Sequence, residues 1–266
     1  MLWFITRRSK TQVFHTCSDA AKSAAPFNSA LCIRGKVVSE MVDPIPVRFP
    51  LSGEWCAANT PGHKVPSHGT DQLGQRYAYD FFQIDWEQKG YKFYKTPILK
   101  SLICGIKLQD TYCWSKPIYA PFDGEVIEAI DGLKERNPVH LVRDLAVVLR
   151  NGLFFRGKSN KDLHPVLGNF IILKKADGIF SLIAHARNGS IKVSSGQKVN
   201  EGQELAQVGH SGNSTAPHLH FQLMNNPNLL EAGGLPCCFK SYQVYRDGEW
   251  EAVKNGVPGK RVRINA

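Results

Sequence analysis

In the stretch TAPHLHFQL, residues 215–223, two histidines stand one residue apart between apolar neighbours. An extended strand turns successive side chains to opposite faces, so His218 and His220 project together while Leu219 and Phe221 point the other way. Two imidazoles within about 7 Å on one face make half of a metal site or of an acid–base pair. The plainer reading is a strand whose histidines are incidental. A zinc site needs three or four nitrogen, oxygen or sulfur donors, and a catalytic one keeps a position for water. Upstream, VPSHGTDQLGQRYAYDFFQID (65–85) places His68 and Asp80 on either side of a turn-rich loop. Asp80 sits in the apolar run YAYDFF, where a buried carboxylate must be paired, hydrogen-bonded or bound to metal. Asp71, Asp85 and His63 are alternative donors nearby. His185 closes a further apolar run in SLIAHARNGS, where a satisfied core histidine is the plain alternative. There is no His-Glu-x-x-His helix, so a zinc peptidase with a glutamate base is excluded.

The elements that must position these groups read as β. From PIPVRFPLSGEW onward, short runs rich in Val, Ile, Phe and Tyr alternate with Gly, Pro, Asn and Asp turns. Strand candidates include 117–130, LAVVL at 145–149, 169–186 and 203–209. Asp-Gly pairs at 177–178 and 247–248 each lie between apolar runs and predict hairpins. The best helix candidate is PILKSLICGIKL (97–108), weakened by Gly105. These signals predict residues 1–44 as an extension and 45–235 as the main, mostly antiparallel β domain, with a hairpin and tail over 236–266.

Composition narrows the class. The 266 residues are 42% hydrophobic and 21% charged, as in an ordinary globular protein. No apolar run approaches the roughly 18 residues needed to span a bilayer. The opening MLWFITRRSK has its charges after its apolar part, the reverse of a secretory signal, so no export signal is visible and the sequence alone points to the cytoplasm. The net charge of +10 suits polyanions, an anionic cell wall included. Basic residues come at most in pairs and no nucleic-acid module is recognisable, so a specific nucleic-acid partner is not expected. Seven cysteines with no Cys-x-x-Cys pair exclude a thiolate zinc site and read as free buried thiols in a reducing compartment.

The order His68, Asp80 in YAYDF, PIYAPFDGEVI, GNFIIL and LIAHARNGSIKVSSGQKVNEGQELAQVGHSGNSTAPHLHFQL resembles the lysostaphin/LytM-type zinc metalloendopeptidases. The likeness runs over about residues 60–225, interrupted by an insertion around 83–116. It implies a mainly β fold, an antiparallel sheet and hairpin core related to the duplicated hybrid motif, with few short helices. It further implies that His68, Asp80 and His220 bind one Zn²⁺, with His185 and His218 as the catalytic, non-ligand pair. The implied activity is hydrolysis of peptide bonds in the cross-links or stem peptides of bacterial peptidoglycan. A location in the cell envelope or outside it follows from that substrate, against the missing export signal. Zinc lowers the pKa of bound water to about 7, and an imidazole can take a proton from it and return it to the leaving amine. The second imidazole can stabilise the oxyanion.

Some residues depart from the family pattern. Eleven residues separate His68 from Asp80 where three are common, although some members have a longer loop before Tyr-Ala-x-Asp-Phe. Gln222 stands where an acidic residue is common and so bears on ligand orientation. His210 reads as a groove or structural residue, and Asn169 and Asn213 as candidate cleft residues. Two rivals use the same residues. A biotinyl or lipoyl carrier would need a tip lysine in Met-Lys-Met or Asp-Lys-Ala, and neither triplet occurs. A catalytically inactive relative that binds cell wall or activates a partner enzyme is the other, although all five key positions are present.

Overall fold

The computed structural model describes residues 43–88, 90–154 and 157–266. The expected extension, 1–44, therefore lies almost wholly outside the described residues, as do Cys17 and Cys32. Among the described residues, fourteen strands carry the fold. The first five are β1 (Ile45–Val47), β2 (Glu54–Asn59), β3 (Tyr79–Phe82), β4 (Pro117–Tyr119) and β5 (Gly124–Ile130). Next come β6 (Asn169–Lys175), β7 (Phe180–Ala186), β8 (Lys198–Val199), β9 (Glu204–Gln207) and β10 (Leu219–Met224). The last are β11 (Gly234–Leu235), β12 (Cys237–Arg246), β13 (Glu249–Gly256) and β14 (Ile264–Asn265).

Ten of these strands form one path, β1-β12-β14-β2-β3-β10-β7-β6-β5-β8, with β11 added to β10 and β13 to β12. β4 and β9 pair separately. The pairings are antiparallel apart from β1 on β12. The fold is thus mainly β with few helices, as the sequence patterning predicts. Both Asp-Gly pairs close hairpins. β6 turns into β7 at Asp177-Gly178, and β12 turns into β13 at Asp247-Gly248, where both turn residues have positive φ.

Period-two alternation gives the sheet two buried faces. Ile171, Leu173, Ile183, Leu219, Phe221 and Leu223 enter one core, and Phe170, Ile172, Leu182 and Met224 enter the other. The first core is dominated by aromatic rings. Phe239 on β12 lies 4.4 Å from Phe49, 5.2 Å from Tyr79 and 5.8 Å from Phe81, centroid to centroid. The Tyr79 hydroxyl, buried with the rings, donates to the Cys237 carbonyl at 2.8 Å. Strand β3 is therefore held from below by the C-terminal strands.

Two expectations need correction. LAVVL (145–149) is not a strand but the middle of a helix, α2 (Leu141–Phe154). Five apolar residues in a row fit either element, and length decides between them. Here Val142, Leu145 and Leu149 recur at helical spacing, and the Asp144 carboxylate accepts the His140 N–H at the first turn (2.9 Å). The expected helix over 97–108 is shorter, α1 (Ile98–Cys104), because Gly105 takes φ +72° and a Cβ there would meet Pro138 and Val139. Cys56, Cys113 and Cys237 are buried as expected, whereas Cys104 at the end of α1 is exposed. Both helices show apolar side chains to solvent, among them Leu99 at 73% and Val142 at 73% exposure. Among the described residues no helix is long and apolar enough to cross a membrane.

This packing makes a stability prediction. Phe239→Ala should cost about 3–5 kcal/mol in chemical denaturation, the range for emptying a buried aromatic site. Leu99→Ala, on an exposed face, should stay within about 0.5 kcal/mol. Comparable losses in the two variants would contradict the assignment of the core.

Candidate metal centre

Strand register brings the first two groups together. Asp80 on β3 pairs directly with His220 on β10, and His220 pairs on its other side with Ala184 of β7. On β3, Tyr79 and Phe81 take the core face, so Asp80 is turned to the face that carries His220. His220 Nδ1 lies 3.0 Å from Asp80 Oδ1. His68, on the loop between β2 and β3, brings Nε2 to 2.9 Å from Asp80 Oδ2. These three side chains offer donor atoms all within 4.8 Å of one another. The other donors considered lie elsewhere. Asp71 is paired with Arg76, Asp85 with Gln88 and Tyr112, and His63 is exposed.

Neighbouring groups decide which nitrogen of each ring faces the cluster. The Gln222 amide donates through Nε2 to the Leu73 carbonyl (2.7 Å), which turns its Oε1 toward His220 Nε2 at 3.0 Å. His220 therefore carries its proton on Nε2, and Nδ1 presents a lone pair to Asp80. At His68, Ser67 Oγ donates to the Gln75 carbonyl and lies 3.0 Å from Nδ1. The His68 proton then sits on Nδ1 and Nε2 is left as the donor atom. Asn59 Nδ2 donates to Asp80 Oδ2 at 2.6 Å. Two imidazole lone pairs thus converge on one carboxylate, an arrangement that repels itself unless a cation shares it. The cation can be a proton on a ring or a metal ion, and the nitrogen–oxygen donor set fits Zn²⁺.

Where a ring proton serves as that cation, hydrogen bonds form: burial works to raise the Asp80 pKa, but bonds with His220 and His68 prevail and hold it well below the usual carboxylate range. Burial likewise disfavours charge on His220, yet the bond to Asp80 raises its pKa.

His185 and His218 stand beside this cluster. Their ring centroids are 4.8 Å apart, and His185 lies 6.0 Å from His220. His218 Nε2 is 3.6 Å from Asp80 Oδ1, and Phe82 stacks on the His218 ring at 4.9 Å. Each of the pair is pinned by a carbonyl: His185 Nδ1 to Ser211 O at 2.9 Å, His218 Nδ1 to Ala216 O at 2.7 Å. A carbonyl only accepts, so both rings carry Nδ1–H and keep Nε2 as the acceptor when neutral. Strict alternation along β7 would send His185 into the core with Ile183. Its φ of +62° breaks the alternation, and Ala186 takes the core position instead. Burial lowers the pKa of His185 well below its ordinary value, with the charges of His218 and His220 adding to it. Burial also lowers that of His218.

The two asparagines expected near the cleft have structural roles. Asn169 is fully buried, accepting from Leu133 N–H and donating to the Leu133 and Ala186 carbonyls. Asn213 binds Asn151 and the Val166 carbonyl. The sequence reading missed Asp144, which lies in the helix misread as a strand, and missed Asn59 and Ser67 as supports of the donor cluster.

A family model described as Peptidase family M23 matches residues 154–231, a span that contains His185, His218 and His220. The chain is similar to Peptidase family M23 over that segment, under a third of its length. His68 and Asp80 lie outside the match and join the segment through β3–β10 pairing. Cell division protein DipM of Caulobacter vibrioides is 34% identical over 67 residues, 25% of this chain and 11% of the relative. Peptidoglycan DD-endopeptidase ShyA of Vibrio cholerae is 34% identical over 61 residues, 23% of this chain and 14% of the relative. The alignments thus span less than a sixth of either relative's length. Among solved structures, a zinc-containing peptidase from Vibrio cholerae aligns over 73% of this chain and 39% of its own, at 22% identity and a TM-score of 0.31.

The buried histidines predict an acid-sensitive fold. His185, His210 and His218 have lowered pKa values, each chiefly through burial, so the unfolded chain binds their protons first as pH drops through about 6.5. His220, with its pKa raised, acts in the opposite sense but is one group against three. Asp80 and Asp144, with pKa values lowered, keep their full contribution until pH nears about 4. Chelator-treated protein should therefore melt at a lower temperature at pH 5 than at pH 7.5. An equal or higher melting temperature at pH 5 would contradict this assignment of neutral buried histidines.

Proposed function

We propose that this chain is a zinc-dependent endopeptidase that hydrolyses peptide bonds in bacterial peptidoglycan, in cross-links or stem peptides, at the cell envelope. The observation that carries the reading is the convergence of two lone-pair nitrogens and one carboxylate with their tautomers fixed from behind. His68 Nε2, Asp80 and His220 Nδ1 would hold the ion, and residues 45–235 would form the peptidase domain. Zinc, when bound there, supplies a Lewis acid that acidifies water and polarises the scissile carbonyl.

The chain's own residues then handle the protons. His185 and His218, held through Nδ1, each present Nε2 to the region beside the cluster. A neutral Nε2 accepts a proton from the attacking water, and the resulting N–H donates to the leaving amine or to the developing oxyanion. Their lowered pKa values keep both rings neutral and able to accept at neutral pH. The wall substrate is supported by the similarity to the peptidoglycan DD-endopeptidase ShyA and by the net charge of +10, which favours approach to an anionic polymer.

Purified peptidoglycan, digested with and without a chelator and read by mass spectrometry for new amino termini, tests the reading. Chelator-sensitive hydrolysis is expected, with one zinc per chain. His220→Ala should lose both the zinc and the activity. His185→Ala and His218→Ala should keep zinc and lose about 10²–10⁴-fold in kcat. Bound zinc without hydrolysis would point to a binding or activating relative, and hydrolysis indifferent to chelator would overturn the metal assignment.

A further inference from the structure

Helix α2 turns its apolar side to solvent. Val142, Leu145, Ala146 and Leu149 recur at i, i+3, i+4 and i+7, and all four are exposed. The inward side instead carries Asp144, which has no exposed surface. Its carboxylate accepts from Arg136 Nε at 2.6 Å, Arg143 Nε at 3.0 Å and the His140 N–H at 2.9 Å. Arg136 also donates to the Gly212 and Ser214 carbonyls, at 2.8 and 2.7 Å. This clamp fixes the rotation of the helix about its own axis. Turning the apolar stripe inward would break it and strip Asp144 of its partners.

Helix α1 repeats the arrangement. Ile98, Leu99, Leu102 and Ile103 are 63–73% exposed, while Ser101 Oγ is held 3.2 Å from the Tyr94 hydroxyl. Ile106 pairs with Val139 in an antiparallel bridge, two residues after α1 ends and two before α2 begins. The end of one helix therefore adjoins the start of the other. Among the described residues, seven of the ten exposed large apolar side chains lie on these two helices. So dense a grouping marks a contact surface.

We propose that α1 and α2 dock the protein on a lipid bilayer with anionic headgroups, lying on the surface without crossing it. At 7 and 14 residues, both helices are shorter than the roughly 20 residues a span requires. The charges around the aliphatic side chains select the bilayer. Residues 91–108 contain four lysines and no acid, and Lys95, Lys100 and Lys107 are exposed. Arg143 and Arg150 are exposed on α2, whose acid, Asp144, is buried and paired. An aliphatic stripe flanked by Lys and Arg is the pattern of a helix that rests among anionic headgroups. A second copy fits less well, because a two-fold pairing would set these cations against their own equivalents. Protein interfaces also favour aromatic anchors and are depleted in lysine, whereas both helix faces offer aliphatic side chains beside lysine and arginine. The inference does not rest on the peptidase reading, and peptidoglycan takes no part in its test.

The full chain is sedimented with vesicles of phosphatidylcholine alone, and with vesicles of phosphatidylcholine and phosphatidylglycerol in equal parts. Wild type should bind the anionic vesicles, release them as salt is raised, and bind the neutral ones weakly. The pairs L99Q/I103Q and V142Q/L149Q replace exposed side chains with a helix-forming polar residue, so melting temperatures should not move. Each pair should weaken binding at least about 10-fold, since several buried methylene groups are lost. The triple variant K100Q/K107Q/R150Q should weaken it roughly 5-fold for each charge removed. Failure of folded wild type to bind anionic vesicles would overturn the proposal. So would binding that salt abolishes but neither glutamine pair changes, which is adsorption through net charge alone. A dimer in solution that the glutamine pairs dissociate, with no vesicle binding, would assign the faces to a second copy instead. Loss of peptidase activity in every assay would leave the vesicle result standing on its own.

Discussion

A buried carboxylate sets the terms for the site. Asp80 stands on a strand whose other face is packed with Tyr79 and Phe81, and among the described residues Asn59, His68, His218 and His220 reach it. Removing a charge from water is costly unless it is compensated on the spot. The compensation here is unusual because the rings that approach it have their protons directed elsewhere, by Ser67 and by Gln222. That leaves a concentration of lone pairs around one negative charge. Such an arrangement gains stability from a cation at its centre, and the surrounding bonds keep it open to receive one.

The rest of the fold maintains this geometry. Direct pairing of Asp80 with His220 fixes their separation through backbone hydrogen bonds and not through flexible side chains. The aromatic cluster under β3, anchored by Phe239 from the C-terminal strands, resists any register slip that would turn Asp80 into the core. A local departure from regularity is just as important. The positive φ at His185 turns that ring out of the alternation and toward His218, a backbone cost of the kind found at functional sites.

Much of this was legible in the sequence because period two is a strong signal. HLH on a strand, a carboxylate inside YAYDFF and Asp-Gly between apolar runs each carry a definite geometric consequence. The choice of Asp80 over Asp71 and Asp85 needed the family resemblance, and the pairing of β3 with β10 shows why distance along the chain was a poor guide. Other features could not be read. LAVVL is equally apolar in a helix or a strand, so α2 was missed, and Asp144 with it. His185 was placed correctly at a strand end, but no residue type announces a left-handed histidine. Asn169 looked like a cleft residue because its polarity was visible and its burial was not. Gln222 shows the opposite case. Its departure from an acidic residue was plain, yet only the Leu73 carbonyl shows that the amide still orients His220.

Anomalous X-ray scattering at the zinc edge from crystals of the metal-loaded protein is the most direct measurement. The account predicts a single strong peak with His68 Nε2, one Asp80 oxygen and His220 Nδ1 at about 2.0–2.2 Å, and with His185 and His218 outside ligand distance. A folded, zinc-loaded crystal with no peak between those three side chains, or with the ion held by other donors, would contradict it.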